Sequence, residues 1–298
     1  MTVPYPPVLD CLERGAPVRL AAVGGGCIAE AQVAEFADGS SVFVKRKAGH
    51  AGMFEREAEG LEALAAARAV RVPRVLAVAP DALVLENIQA APRRTDFFEH
   101  FGRAFARMHR QVGPACGFPH DNYIGATPQE NAPLHGAWNG APDAPAGDGS
   151  DWPAFFIERR LRYQVDLAAE RGYGRLAQLL DACESRFLDL LHAAIEPPSI
   201  LHGDLWGGNY IVDERGEACL IDPAAYFGHR EADLAMTHLF GGFEPLFYRA
   251  YEEEWPLAPG HGDRLPIYQL YHVLNHFNLF GGGYGAQSKS ILQRYAAR

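Results

Sequence analysis

The stretch His202-Gly203-Asp204-Leu205-Trp206-Gly207-Gly208-Asn209, with Asp222 further along the chain, collects three oxygen-bearing side chains of the kinds phosphoryl transfer requires. That chemistry needs a carboxylate beside the attacking hydroxyl, to orient it and accept its proton. It also needs hard oxygen ligands for Mg2+, which spreads the charge of the transferring group. Asp204 suits the first task as a catalytic base, and Asn209 and Asp222 suit the second as metal ligands. Gly203, Gly207 and Gly208 allow a tight turn and a close backbone approach. The plainer alternative is a glycine-rich hairpin whose Asp and Asn residues only cap turns.

The elements around this stretch must present the three groups together. Ser199-Ile200-Leu201 reads as a strand entering the loop and Tyr210-Ile211-Val212-Asp213 as a strand leaving it. Glu214-Arg215-Gly216 turns the chain into Ala218–Ile221, which delivers Asp222, so the pattern is strand, loop and β-hairpin. The spacing from Asp204 to Asn209 is that of the kinase catalytic loop H-R-D-x-x-x-x-N.

Upstream features extend the reading. Strands are expected over 18–23, 31–36 and 41–47, after a short helix at 8–16, with Gly24-Gly25-Gly26-Cys27 between the first two. A glycine-rich turn between antiparallel strands can fold backbone N–H groups over ATP phosphates, which makes Gly24, Gly25 and Gly26 candidate nucleotide contacts. Cys27 lies in the same loop, either as a small apolar filler or as a thiol whose oxidation would block ATP. The G-x4-G-K-[ST] phosphate loop is absent. Val42-Phe43-Val44-Lys45 resembles the strand that carries a phosphate-binding lysine. On a helix over 53–68, Glu57 shares the face of Leu61 and Leu64. An inward carboxylate requires a partner, and Lys45 fits; otherwise Glu57 is solvated and Lys45 is a surface lysine. Strands at 75–79 and 83–85 lead to Glu86-Asn87-Ile88, a hinge whose backbone would meet the adenine edge. The expected boundary follows, with an ATP-binding β-rich lobe over 1–88 and a helical catalytic and substrate lobe over 89–298.

In the second part, 97–111 reads as an amphipathic helix with His109 as a structural histidine, and 117–127 as a loop. Residues 132–150, rich in Ala, Pro, Gly and Asp, read as a mobile surface loop. Helices are expected over 152–170, with Arg159, Arg160 and Arg162 on a solvated face, over 176–195, and over 269–280. Asp233 begins a further helix, as its cap or as a brace for the catalytic loop. No D-F-G or A-P-E occurs, and Gly203 stands where protein kinases carry an Arg that answers loop phosphorylation. The pattern therefore points to a small-molecule kinase.

The 298 residues can hold two lobes with ample core, and 48% apolar with 21% charged residues is ordinary for a soluble protein. A net charge of −10 argues against a general nucleic-acid surface. No signal peptide or membrane-spanning run is evident. The five scattered cysteines read as reduced thiols of a cytoplasmic protein rather than as disulfides or a zinc site.

The catalytic stretch, together with Ile221-Asp222-Pro223-Ala224 and Gly228-His229-Arg230-Glu231-Ala232-Asp233-Leu234-Ala235-Met236, resembles the fructosamine kinase (ketosamine kinase) family. Gly24–Ile28, Met53-Phe54 with Glu57, Asp121–Gly125, Phe155-Phe156 with Arg159-Arg160-Leu161, and Leu270–His276 are also similar, so the likeness spans nearly the whole chain. The resemblance implies an α+β, protein-kinase-like two-lobed fold close to aminoglycoside and choline phosphotransferases. It implies ATP- and Mg2+-dependent phosphorylation of a sugar hydroxyl of ketosamines, the adducts of sugars with lysine or free amines. The 3-phosphate then decomposes, which amounts to deglycation. It further implies Asp204 as base, Asn209 and Asp222 as Mg2+ ligands, Lys45 and Glu57 as phosphate clamp, and Trp206 and His229 as walls of the sugar pocket. Two other readings stay open: a phosphotransferase for aminoglycosides or choline, and a non-catalytic nucleotide-binding module.

Overall fold

Alternation of apolar and polar residues between 19 and 86 produces one antiparallel sheet in the computed structural model, which describes residues 5–24, 30–49, 52–139 and 145–296. Its strands are β1 (Arg19–Ala22), β2 (Glu30–Glu35), β3 (Ser41–Arg46), β4 (Val75–Ala79) and β5 (Ala82–Glu86), in the order β1-β2-β3-β5-β4. Because strand side chains alternate faces, Val42 and Val44 pack with Val8, Leu9, Phe36 and Val84 in a small core of their own. Phe43 and Lys45 point to the opposite face, where helix α1 (Met53–Ala66) lies. That helix buries Phe54, Ala58, Leu61 and Leu64. Glu57 falls on the same stripe, as its spacing requires.

The larger lobe is mostly helical. Helix α2 (Phe97–His109) packs along α7 (Pro245–Glu254), with Gly102 so close that a Cβ there would meet the Phe247 carbonyl oxygen at 2.2 Å. Between them in sequence come a hairpin β6 (Asn122–Ile124) and β7 (Thr127–Gln129), helix α3 (Trp152–Phe156), a π-helical turn (Ile157–Arg162), α4 (Tyr163–Glu170) and α5 (Arg175–His192). Then follow β8 (Ser199–Leu201), β9 (Tyr210–Val212), β10 (Ala218–Leu220), β11 (Tyr226–Gly228) and α6 (Glu231–Leu239). The chain closes with α8 (His261–Phe280) and α9 (Tyr284–Ala296). β9 and β10 form one antiparallel pair, and β11 returns to pair with β8.

Several expectations need correction. The segment 117–127 contains β6, held by side-chain amides rather than by any periodicity: Asn122 Nδ2 donates to the Ala225 carbonyl at 2.8 Å and Gln129 Nε2 to that of Ala224 at 3.1 Å. The described parts of 132–150 contact the lobe beneath them. Trp138 lies 5.5 Å from the Phe227 ring, and the Gly147 N–H donates to the Gly113 carbonyl. Arg160 is fully buried on the aromatic rings of Tyr226 and Phe155, not solvated. The π-helical turn shifts the side-chain register there, which a 3.6-residue pattern does not anticipate. α8 begins well before 269, and α9 follows the Gly281–Gly283 turn that reads as a terminus.

Candidate active site

The catalytic loop joins β8 to β9 and is held from beneath. Asp233, on α6 and 1% exposed, accepts the backbone N–H of His202 at 2.6 Å and of Gly203 at 2.8 Å. Its Oδ2 also meets His109 Nε2 at 3.2 Å, and His109 Nδ1 meets the Tyr251 hydroxyl at 2.7 Å. Burial works against a charged Asp233, yet the His109 hydrogen bond and the converging donors hold its carboxyl below the ordinary range. Asp233 is therefore a brace for the loop, not a helix cap, and His109 supports the brace. Nothing in the sequence signals Tyr251.

Inside the loop, Nε2 of His202 donates to the Ile221 carbonyl at 2.9 Å, and the Asp204 N–H donates to His202 Nδ1 at 3.3 Å. Gly203 has φ +81°, and a Cβ there would lie 2.1 Å from the Ala224 carbonyl oxygen. No larger residue fits, which accounts for glycine in place of arginine. Asn209 Nδ2 donates to the Asp204 backbone carbonyl at 2.7 Å and to its Oδ2 at 3.2 Å. Those bonds occupy the amide nitrogen and leave the Asn209 side-chain oxygen for a metal ion.

Across the cleft, Lys45 Nζ donates to Glu57 Oε1 at 2.5 Å and also bonds Asp222 Oδ1. The Lys45 and Glu57 side chains are 12% and 15% exposed, so this is a largely desolvated pair. Burial pulls the ammonium pKa down, but the charges of Glu57 and Asp222 more than reverse it. Burial, reinforced by Asp222, raises Glu57 despite Lys45. Burial and then the Asp222 charge push the Asp204 carboxyl up from 3.8 to about 8. The cleft thus holds Glu57, Asp204 and Asp222 against one lysine. A hard cation would complement these carboxylates, and Asn209 and Asp222 could offer it oxygen donors. Among the described residues no three His, Cys, Asp or Glu side chains converge as a metal cage.

Glu86, Asn87 and Ile88 leave β5 at the base of the cleft. The Glu86 side chain bonds Arg71, its backbone N–H donates to the Arg74 carbonyl at 2.9 Å, and the Asn87 side chain bonds Ser41. Gly24 follows β1, while Gly25, Gly26 and Cys27 lie outside the described residues. Trp206 is 40% exposed beside Asp204, with Phe240 at 6.3 Å and His276 4.6 Å beyond it. His276 escaped the sequence reading as a site residue because it falls in an otherwise apolar helix pattern. His229 does not join this wall. It is 2% exposed and stacked on Tyr268 with an interplanar angle of 14°. A cavity of about 470 Å³ lined by Leu234, Tyr248, Tyr251 and Leu265 holds none of the catalytic groups.

Comparison with known proteins agrees with this geometry. The fructosamine kinase family model matches residues 13–298. A protein-ribulosamine 3-kinase of Arabidopsis thaliana is 38% identical over 287 residues, covering 93% of this chain and 82% of the relative. The solved structure named "putative fructosamine-3-kinase" from Thermobifida fusca superposes with a TM-score of 0.81 at 34% identity, over 98% of each chain. A choline kinase from Streptococcus pneumoniae shares the fold alone, with a TM-score of 0.62 at 15% identity over 97% of each chain. With a matched family model across almost its full length and the catalytic loop, brace and cleft lysine in place, the chain belongs to the fructosamine kinase family.

Proposed function

We propose that the chain transfers the γ-phosphoryl group of ATP to a sugar hydroxyl of ketosamines, including ribulosamine and fructosamine adducts of lysine or free amines, and so initiates deglycation. The observation that carries the reading is Asp204. It is a recessed carboxyl with a raised pKa, beside Asn209, on a loop fixed through two backbone N–H bonds to Asp233.

In this mechanism the sugar hydroxyl lies against Asp204, which orients it and takes its proton as the oxygen attacks phosphorus. Lys45, fixed by Glu57, holds the phosphates. Asn209 and Asp222 would hold Mg2+, whose charge neutralises that developing on the phosphoryl oxygens. Gly24, Gly25 and Gly26 would cover the phosphates, and the backbone of Glu86–Ile88 would receive adenine. Trp206, with Phe240 and His276 behind it, offers an aromatic face to the C–H surface of the sugar. The burial of His229 supports a packing role for it instead. A cytoplasmic location belongs to the same reading. It draws support from the free thiols of Cys11, Cys116, Cys183 and Cys219. No helix among the described residues is long and apolar enough to cross a membrane.

ATP consumption measured with Mg2+ against ribulosyl-lysine, fructosyl-lysine, kanamycin and choline tests the proposal. Turnover on either ketosamine supports it, and the ratio of the two identifies the preferred sugar. Turnover confined to kanamycin or choline, or none on all four while ATP still binds, overturns it.

A further inference from the structure

Two segments meet the β9–β10 hairpin of the large lobe: one inside the small lobe, between α1 and β4, and one after β5 that links the two lobes. The segment after α1 lies alongside β10, with the Arg71 carbonyl accepting the Leu220 N–H at 2.8 Å. The segment after β5 lies along the other side, with the Ala91 N–H donating to Val212 and the Arg94 N–H to Gly216, both at 3.2 Å. One side chain ties these contacts together. The Arg71 guanidinium donates from Nη1 to Asp213 Oδ2 at 2.8 Å and to Glu214 Oε1 at 2.7 Å. From Nη2 it donates to Glu86 Oε1 at 2.9 Å.

Asp213 is fully buried. Its Oδ1 accepts the N–H groups of Arg215 and Glu217, both at 2.9 Å, and these shape the hairpin turn. Besides Arg71, the only cation on its carboxylate among the described residues is the more exposed Arg215, at 3.2 Å. At its open end the same hairpin carries Asn209 and Asp222, linked by the Ile221 N–H donating to the Asn209 carbonyl at 3.0 Å. The guanidinium thus touches the closed end of the hairpin and the last residue of β5, and its own backbone continues from α1, which carries Glu57.

We propose that Arg71 is a positioning residue for phosphoryl transfer: its fork keeps the hairpin bearing Asn209 and Asp222 in register with α1 and the hinge. A planar fork with several fixed donors can hold three carboxylates in set directions, whereas the ammonium of a lysine is a point charge on a flexible stem. Turnover is sensitive to such register, because reacting groups displaced by about 1 Å can cost about 10²-fold. The inference rests on the kinase reading above.

The test uses full-length Arg71→Met and Arg71→Lys, assayed well below their melting temperatures, with hydrogen exchange followed across Tyr210–Asp222. Arg71→Met is expected to lower kcat by about 10²-fold while KM for the ketosamine stays within about threefold. Exchange in the hairpin should rise while α5 and α8 remain protected, and Arg71→Lys should fall between Met and wild type. If Arg71→Met does not fold, Arg71→Lys carries the test, and both a lowered kcat and faster hairpin exchange are then required of it. Wild-type kcat in the variants, or exchange that rises evenly over the whole chain, overturns the proposal. A wild-type protein without ketosamine turnover would instead defeat the functional reading, and the hairpin exchange would then decide the clamp by itself.

Discussion

Two groups of charges lie near the catalytic loop, one partly open to solvent and one largely buried, and they are built on opposite terms. In the cleft, Glu57 and Asp222 share Lys45, and Asp204 bonds only the neutral amide of Asn209 among the side chains of the described residues. Behind the loop, the Gly-His-Arg-Glu segment forms closed pairs. Arg230 grips both oxygens of Glu196 at 2.7 and 2.9 Å, and Arg264 grips both oxygens of Glu231 at 2.7 and 2.6 Å. Leftover donors of the two arginines go to the carbonyls of Trp255, Pro256, Ala258 and Pro259. Balanced charges joined through both oxygens fix a shape. The cleft's unbalanced charges leave capacity for a ligand, at a cost in stability. The resemblance implies His229 as a wall of the sugar pocket, whereas the structure buries it against Tyr268, beside the paired arginines.

Substitutions can break or sharpen this contrast. Asp204→Asn should bind ATP but lose about 10²- to 10⁴-fold in kcat, the ordinary worth of a general base. A variant with near-normal turnover would refute the assignment. Arg264→Met strands a buried carboxylate and should cost about 3–5 kcal/mol of stability, read by denaturant unfolding, while the folded fraction keeps its KM values. Adding Glu231→Leu should recover much of that loss, since a pair removed together leaves no orphan charge. Gly203→Ala should lose both turnover and about 1–3 kcal/mol, because the left-handed backbone and the Ala224 carbonyl leave no room for a methyl group. The smallest effect is expected for Trp206→Ala, a rise of about tenfold in ketosamine KM, equivalent to about 1.4 kcal/mol, with KM for ATP unchanged.

The pH dependence separates the regions as well. The folded pKa of Asp204 lies above its unfolded value of 3.8, so the native state holds a proton that the unfolded chain has lost. Stability from this group is therefore present at low pH and declines as pH rises towards about 8. Asp204→Asn escapes that decline, so its advantage in melting temperature should widen across this range. An advantage that stays flat would mean that the carboxyl is not destabilised in the native protein.

The sequence made the sheet, α1 and the catalytic hairpin legible, because strand alternation and helical stripes there agree with local turn chemistry. Lys45, Glu57, Asp204, Asn209 and Asp222 converge as their spacing suggested. What stayed hidden was held by contacts without a period. β6 depends on Asn122 and Gln129 reaching Ala224 and Ala225, and Arg160 is taken inside by a π-helical turn. The relay of Tyr251, His109 and Asp233 joins residues from three distant helices, and no linear pattern records such a meeting.

Asp222 has a left-handed backbone, with φ +56°. Asparagine and glycine enter that conformation readily, whereas β-branched residues do not. Genetic drift at this position is thus channelled towards substitutions that keep the fold. A single base change turns an Asp codon into an Asn codon, exchanging a carboxylate for a neutral amide on an unaltered backbone. If Asp222 holds the metal ion as proposed, this is a short path by which a descendant of this chain would lose turnover and keep its fold.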